Sequence, residues 1–90
     1  MRLQQTKRFS KDLKRAVKRG KDLRKIKMIV SSLARSEPLH PKHRDHALIG
    51  DWKGSRECHI EPDWLLIYTI EVDEDLLRLE RTGTYSDLFF

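Results

Sequence analysis

The 90-residue chain lacks several features that would mark a secreted or membrane protein. Cys58 is its only cysteine, so no internal disulfide can form, and no apolar run approaches the roughly 18 residues that span a bilayer. The first residues do not contain the apolar segment of a secretory signal. These absences favour a soluble, cytoplasmic protein. With 38% hydrophobic residues, the short chain is expected to form a single domain over residues 1–90.

Positive charge is concentrated at one end of the chain. Residues 1–27 hold twelve Lys or Arg against two Asp, a balance of +10, whereas residues 28–90 have a balance of −5. Concentrated positive charge attracts polyanions, and more strongly at low salt. Two well-solvated helix faces would have the same composition, but eleven basic residues between positions 7 and 27 favour nucleic acid as a partner.

Two amphipathic helices are predicted in this basic half. Phe9, Leu13 and Val17 recur every four residues, which places them on one face of a helix that Thr6 can cap. A second apolar stripe over residues 23–33 predicts another helix almost immediately afterwards. Such a short connection requires an antiparallel or sharply angled helical hairpin.

The second half of the chain changes to the alternating pattern of β-strands. Strands are predicted over residues 52–61, 64–70 and 76–82, with a short edge strand at residues 2–5 and a short tail from residue 85. The expected fold class is α+β, with the N-terminal helical hairpin packed on a small, mostly antiparallel sheet of four strands.

Several polar residues fall at predicted strand ends, where a rigid sheet can present a functional site. Taken singly, each has a structural interpretation. His46 is a loop histidine, His59 can pair with a neighbouring carboxylate, and Asp63 suits a turn. By alternation, Arg81 continues the apolar face of its strand, so it is either ion-paired or placed to meet an anion.

A zinc site is an alternative for the histidines. His40, His43, His46, Cys58 and His59 offer enough ligands. However, His-x-x-His-x-x-His in a loop with prolines is not a known ligand frame, and the paired Cys-x-x-Cys is absent. The sequence therefore favours a site without a metal.

Two segments carry a family resemblance. Residues 45–68, DHALIGDWKGSRECHIEPDWLLIY, and residues 79–89, LERTGTYSDLF, resemble the YafQ branch of the RelE/ParE toxin superfamily in the order and spacing of their motifs. Residues 8–14, RFSKDLK, are also similar to the first helix of that family. The resemblance implies a RelE-like fold and a ribosome-dependent mRNA endoribonuclease, the toxin of a type II toxin–antitoxin system. Such an enzyme inhibits translation by cleaving mRNA in the ribosomal A site, through attack of a ribose 2′-hydroxyl on the adjacent phosphate.

The resemblance also assigns residues to this reaction. It implies that His46, His59 and Asp63 transfer and orient protons, a task that histidine suits near neutral pH, and that Arg81 binds the scissile phosphate. Tyr85 stands where this branch normally has a histidine, and a phenol is a poorer proton donor at pH 7. Three roles for Tyr85 stay open. It acts as an acid or base, it orients the substrate and stacks on it, or it is a change that attenuates the enzyme. RNA contacts are implied for Lys53, Arg56, Trp64 and Phe89.

The implied partners are a cognate antitoxin protein, the ribosome with its small-subunit rRNA, and mRNA. A higher-order toxin–antitoxin complex is compatible with the resemblance, and no membrane, metal or other cofactor is expected. Two other functions stay open, namely a ParE-like non-enzymatic inhibitor of DNA gyrase and a basic nucleic-acid-binding module. His46, His59, Asp63 and Arg81 favour the nuclease, because a protein that only binds does not need them.

Overall fold

The computed structural model describes residues 1–90. It contains the helices α1 (Lys7–Lys18), α2 (Leu23–Ala34) and α3 (Tyr85–Phe89) and the strands β1 (Arg2–Gln5), β2 (His46–Ala47), β3 (Arg56–Glu61), β4 (Trp64–Glu71) and β5 (Leu76–Gly83). None of the helices has the length and apolar character that crossing a bilayer requires.

The five strands form one mixed sheet in the order β1-β5-β4-β3-β2. β1 runs parallel to β5, and the other neighbouring strands are antiparallel. The predicted α+β class is confirmed, but the sheet has five strands rather than four. The missed strand, β2, has only two residues. Two residues are too few to show the alternation from which a strand is predicted.

The strand predicted over residues 52–61 begins later, at Arg56. The preceding segment contains a single 3-10 turn over Gly50–Trp52. Gly50 and Gly54 have φ angles of +69° and +96°, in the left-handed region that glycine adopts most readily. These two glycines allow the chain to turn from β2 into β3.

Helices α1 and α2 cover one face of the sheet. Both begin as their sequences predict, because Thr6 accepts a hydrogen bond from the Phe9 amide and Asp22 accepts one from the Arg24 amide.

The predicted hairpin requires one correction. The two helices make their main contacts with the sheet, α1 with β5 and α2 with β3, rather than with each other. Their buried side chains join those of the strands in a cluster made of Phe9, Ala16, Ile26, Ile29, Leu33, Cys58, Ile60, Trp64, Leu66, Tyr68, Leu77 and Leu79.

The opposite face of the sheet is only partly covered, and we call it the open face. Leu65 and Ile67 of β4 pack there against Leu88 of α3. Leu48, Trp52 and Phe89 border this small apolar cluster. The rest of the open face is left mainly to polar residues of β2, β3 and β5.

Candidate active site

Three strands contribute polar residues to one row across the open face, and β4 contributes the apolar Ile67 between them. The register pairs His46 with Glu57, Glu57 with Ile67, and Ile67 with Arg81. Paired residues on neighbouring strands point to the same face and lie about 5 Å apart. His46, Glu57 and Arg81, which we call the polar row, are therefore brought together from separate segments. His59 follows Glu57 by two residues on β3 and shares its face.

A β-bulge changes the predicted orientation of Arg81. Simple alternation places Arg81 on the same face as Leu79. The register between β4 and β5 shifts, however, so that Leu79 pairs with Tyr68 on the helix-covered face and Arg81 pairs with Ile67 on the open face. An extra residue in one strand re-aims the side chains that follow it, and bulges are frequent beside active sites. The prediction that Arg81 continues the apolar face of its strand is therefore wrong.

Glu57 lies between the two predicted histidines. Its Oε1 atom is 3.6 Å from Nε2 of His46 and 3.8 Å from Nε2 of His59. The other ring nitrogens face carbonyl oxygens, with Nδ1 of His46 2.6 Å from the Arg44 oxygen and Nδ1 of His59 3.1 Å from the Pro62 oxygen. Because a carbonyl oxygen only accepts, each Nδ1 donates, and Nε2 is the position that can gain or lose a proton. Both exchangeable nitrogens thus face one carboxylate.

Glu57 was missing from the predicted site, although its position in the sequence contained a signal. It stands two residues before His59 in a predicted strand, so the two side chains were expected on one face. Its side chain is only 8% exposed, which is unusual for a glutamate. A buried carboxylate that faces two histidines can balance the positive charge of either ring.

Arg81 is held by a carboxylate of α1. Its Nε and Nη2 atoms donate to the two oxygens of Asp12 over 2.7 and 3.0 Å, which is a bidentate ion pair. The hydrogen bond to Asp12 raises the pKa of Arg81 above its ordinary value. Of the two alternatives for Arg81, the structure contains the ion pair. Asp12 leaves Nη1 free to meet an anion.

β1 pairs with only the first half of β5, and Asp12 lies beside the second half. The Thr6 amide makes the last backbone hydrogen bond to β5, donating to the Leu79 oxygen over 3.1 Å. Beyond that point Asp12 accepts from the Thr82 amide over 3.2 Å, in the place of a strand carbonyl. Asp12 was also missed as a site residue. Its signal was an acid on the buried face of a basic helix, one turn after Phe9.

Helix α3 brings Tyr85 and Phe89 to the margin of the open face. Tyr85 is 56% exposed, and its ring centroid lies 5.0 Å from that of Phe89 and 5.6 Å from that of Phe90. Thr84 and Asp87 form a reciprocal capping box that begins the helix. Exposed aromatic rings of this kind can stack on unpaired bases.

Trp64 does not have the predicted role. Its side chain is 1% exposed in the core beneath α1 and α2, and its Nε1 donates to the Thr82 hydroxyl over 2.9 Å. The prediction that Trp64 contacts an RNA base is therefore wrong. A tryptophan at the start of a strand gives the same sequence pattern in a core as on a surface.

The remaining predicted residues lie outside the polar row. Asp63 is exposed in the turn between β3 and β4, and Lys53 is exposed in the turn before β3. Arg56 pairs with Tyr68 in the sheet, on the helix-covered face, and its Nε lies 3.3 Å from the Asp45 carboxylate. Lys53 is thus free to meet a phosphate, whereas Arg56 is already engaged.

The predicted residues do not gather in the groove that borders α2. This groove has a volume of about 480 Å³ and lies between α2 and residues 38–43. His59 is the only predicted site residue that lines it. The polar row instead occupies a surface. An open surface suits a macromolecular substrate better than a small molecule, which is usually enclosed.

The possible zinc ligands do not converge. No three His, Cys, Asp or Glu side chains form a group that could hold a metal ion. Cys58 is fully buried, and this burial raises the pKa of its thiol to about 12. The thiol is therefore poorly suited to act as a ligand or nucleophile.

Comparison with known proteins identifies the family. The family model for YafQ, a bacterial toxin of type II toxin–antitoxin systems, matches residues 1–90. The mRNA interferase toxin YafQ of Escherichia coli is 49% identical over 82 residues, which are 90% of this chain and 87% of that protein. A metal-bound toxin from Helicobacter pylori has 46% identity and a TM-score of 0.94 over 99% of both chains. The toxin in the E. coli DinJ–YafQ toxin–antitoxin complex has 45% identity and a TM-score of 0.88 over 98% of this chain and 96% of that one.

These proteins share the α+β fold described above. The chain belongs to the YafQ family of bacterial toxins of type II toxin–antitoxin systems.

Proposed function

We propose that this toxin is an endoribonuclease that cleaves mRNA in the ribosomal A site and so inhibits translation in the cytoplasm. The observation that carries the proposal is the polar row, which places a histidine, a carboxylate and an arginine on one open surface. The 49% identity to a protein named as an mRNA interferase supports it.

The proposed reaction is attack of a ribose 2′-oxygen on the adjacent phosphorus. The bond from phosphorus to the 2′-oxygen forms and the bond to the 5′-oxygen breaks, which leaves a 2′,3′-cyclic phosphate and a 5′-hydroxyl. The reaction needs a base for the 2′ proton, an acid for the leaving oxygen and a cation for the charge on phosphorus. It consumes no water and needs no electron donor or acceptor.

The site offers a group for each requirement. His46 and His59 can exchange protons through Nε2, with Glu57 stabilising whichever ring is charged. Arg81 presents Nη1 to the phosphate, and its planar guanidinium keeps its charge throughout the reaction. Asp63 belongs to the orienting set at the turn that follows His59.

Tyr85 is proposed to face the leaving group from α3. By the family resemblance, Tyr85 stands at a position that is normally histidine, and its exposed ring can stack on a base beside Phe89. The two roles predict different outcomes when the hydroxyl alone is removed, as described in the Discussion.

A row of lysines on α1 is the proposed contact with RNA phosphates. Lys7, Lys11, Lys14 and Lys18 are exposed, form no ion pairs and recur at spacings of four, three and four residues. This spacing places the four lysines on the exposed side of α1. Asp12, which binds Arg81, lies on the buried side of the same helix. Together with Lys53 the four lysines provide a sequence-independent hold on mRNA or rRNA that weakens as salt is added.

The proposed reaction uses only side chains and needs no metal. The H. pylori relative was solved with a metal. The purified toxin should therefore be treated with EDTA, freed of the chelator and then compared with untreated toxin on ribosomes kept in Mg²⁺. Equal rates are expected. A loss of activity that added metal restores would contradict this part of the proposal.

A cognate antitoxin is the proposed protein partner, as in the E. coli DinJ–YafQ complex. Because the lysines on α1 are unpaired, we expect the antitoxin to be acidic where it crosses this helix. Co-expression with the small protein encoded beside the toxin gene should restore growth. If toxicity persists, that protein is not the antitoxin.

Primer extension on translating ribosomes tests the function directly. Added purified protein should cut a translated message within codons and leave an untranslated copy intact. Arg81→Ala should reduce the cuts by about 100-fold or more, whereas Arg78→Ala on the same strand should retain them. A message that stays intact would overturn the proposal. Arrest of DNA replication in cells that express the toxin would then favour gyrase as the target.

A further inference from the structure

Five charged side chains of alternating sign connect α1, β5 and α3. In order they are Arg81, Asp12, Arg15, Asp87 and Arg19, and we call them the charge ladder. The closest approaches of neighbours are 2.7, 3.2, 3.6 and 2.6 Å. One end of the ladder is Arg81. Asp87 belongs to the capping box of α3 and follows Tyr85 by two residues.

The ladder depends on a close approach at Gly83. A Cβ atom at this position would lie 2.9 Å from Oδ2 of Asp87 and 3.3 Å from Nη2 of Arg15. A side chain at this position would therefore crowd the Asp87 carboxylate and the Arg15 guanidinium beside the end of β5. The arrangement joins the strand that carries Arg81 to the helix that carries Tyr85.

Asp12 is the central acid of this ladder. It is 6% exposed and accepts hydrogen bonds from Arg81, Arg15 and the Thr82 amide. Its two bonds to Arg81 engage Nε and Nη2 and fix the plane of the guanidinium. An arginine without such a partner samples many rotamers, so its charge is not held in one place.

We propose that Asp12 is a positioning residue of the nuclease, which holds Arg81 in the one orientation that meets the scissile phosphate. This inference rests on the proposed function. Asp12 does not touch the substrate and acts through Arg81. Its own negative charge opposes RNA binding, so its benefit lies in orientation rather than in attraction.

Positioning and simple electrostatics predict opposite effects for Asp12→Asn. The substitution keeps the size of the side chain and one acceptor oxygen but adds one net positive charge to the site. Electrostatics alone predicts equal or tighter ribosome binding and faster cleavage. Positioning predicts equal or tighter binding and slower cleavage, by about 10- to 100-fold, because small misplacements of a catalytic group have effects of that size.

A double-mutant cycle tests the proposal in the full-length toxin. Single-turnover cleavage of mRNA on stalled ribosomes and ribosome binding by sedimentation are measured for wild type, Asp12→Asn, Arg81→Ala and the double variant, each corrected for its folded fraction. Asp12→Asn should slow cleavage without weakening binding, and it should have no further effect once Arg81 is absent. If Asp12→Asn does not fold, Asp12→Glu is used in the same cycle. Partial activity that depends on Arg81 is then expected.

Three results would overturn the inference. Additive losses in the double variant would show that Asp12 affects the rate independently of Arg81. Faster cleavage by Asp12→Asn would show that the ion pair restrains Arg81 instead of aiming it. Equal rates for wild type and Asp12→Asn would show that orientation does not matter. Failure of the proposed function is a separate outcome, because wild type itself would then cut no translated message. The inference about Asp12 would fail with it.

Discussion

The two sides of the candidate site are held in different ways. On one side, the Arg81 side chain is 12% exposed and its Nε lies 2.7 Å from a carboxylate that is 6% exposed. On the other side, His46 is 49% exposed, and both histidines lie 3.6 Å or more from the carboxylate of Glu57. The arginine is therefore fixed to its carboxylate by short hydrogen bonds, whereas each histidine is anchored through Nδ1 to a backbone carbonyl and approaches its carboxylate only at longer range.

This difference matches the different tasks proposed for the two sides. A cation that stabilises charge on phosphorus is most effective when it is already in place, because no reorganisation is then needed during the reaction. A proton carrier must instead gain and lose a bond in every cycle. Because each ring is anchored through Nδ1 and makes no short hydrogen bond to Glu57, its Nε2 stays available to exchange a proton with the substrate. The predictions below test whether the site is divided in this way.

The largest effect is expected from Arg81→Ala. Its removal leaves the buried Asp12 carboxylate with only the longer ion pair to Arg15 and the hydrogen bond from the Thr82 amide. It should therefore lower the free energy of unfolding by about 2 kcal/mol and slow cleavage by about 100-fold or more. Urea unfolding and primer extension measure the two effects. Arg78→Ala is the control, since Arg78 lies on the same strand but is more exposed and makes longer ion pairs, at 3.3 and 3.5 Å. Arg78→Ala should lower the free energy of unfolding by less than about 1 kcal/mol. Equal costs for the two variants would contradict a specially fixed arginine side.

Glu57→Gln should slow cleavage by about 10- to 100-fold, as expected when proton transfer is impaired. The amide keeps the shape of the side chain but removes the charge that faces both histidines. Single-turnover cleavage at neutral pH measures the effect. Glu61→Gln on the same strand is the matched control, because Glu61 pairs with Lys21 and Lys25 rather than with a histidine. Wild-type cleavage by Glu57→Gln would remove Glu57 from the mechanism.

Substitutions of Tyr85 should change the rate by about tenfold in either direction. Tyr85→Phe keeps the ring beside Phe89 but removes the hydroxyl, so slower cleavage is expected if the phenol donates a proton. Tyr85→His introduces a better donor near neutral pH and should speed cleavage. If Tyr85→Phe is as active as wild type, the residue stacks and does not transfer protons.

The smallest effect, about 1 kcal/mol, is expected from Asp87→Asn, measured by urea unfolding across pH. The hydrogen bond from Arg19 holds the pKa of the Asp87 carboxyl well below its ordinary value. Since the folded-state pKa is the lower one, the stabilisation is present above about pH 4 and is lost as the pH falls further. Wild type should therefore lose more stability than Asp87→Asn on acidification. Asp73→Asn, at an exposed carboxylate without an ion pair, is the control. Identical acid profiles for all three proteins would contradict the prediction.

Much of the fold could be predicted because its elements have local signals. Thr6 marks the start of α1, and alternation identifies β3, β4 and β5 to within a few residues, apart from the late start of β3. The two-residue strand β2 and the bulge near Glu80 have no such signal, since both arise from pairing between distant segments. The bulge alone decides which face Arg81 occupies.

The site was harder to predict than the fold. The family resemblance pointed to His46, His59 and Arg81, which the sheet does bring to one face. It did not point to Glu57 or Asp12, because their importance lies in partners that only the folded chain reveals. Trp64 was misassigned because a core tryptophan and a base-stacking tryptophan have the same sequence pattern.

The pairing of β1 with β5 has a consequence for synthesis of the protein. Arg2 lies beside Leu76, and Asp12 binds Arg81 across a separation of 69 residues. Contacts between such distant segments form only after the intervening chain exists. A ribosome that is still making this protein therefore carries an N-terminal half whose partner strand has not emerged. The charged pair of the site cannot form until Arg81 has been added to the chain, so the ribosome that synthesises the toxin is not exposed to an assembled site before that point.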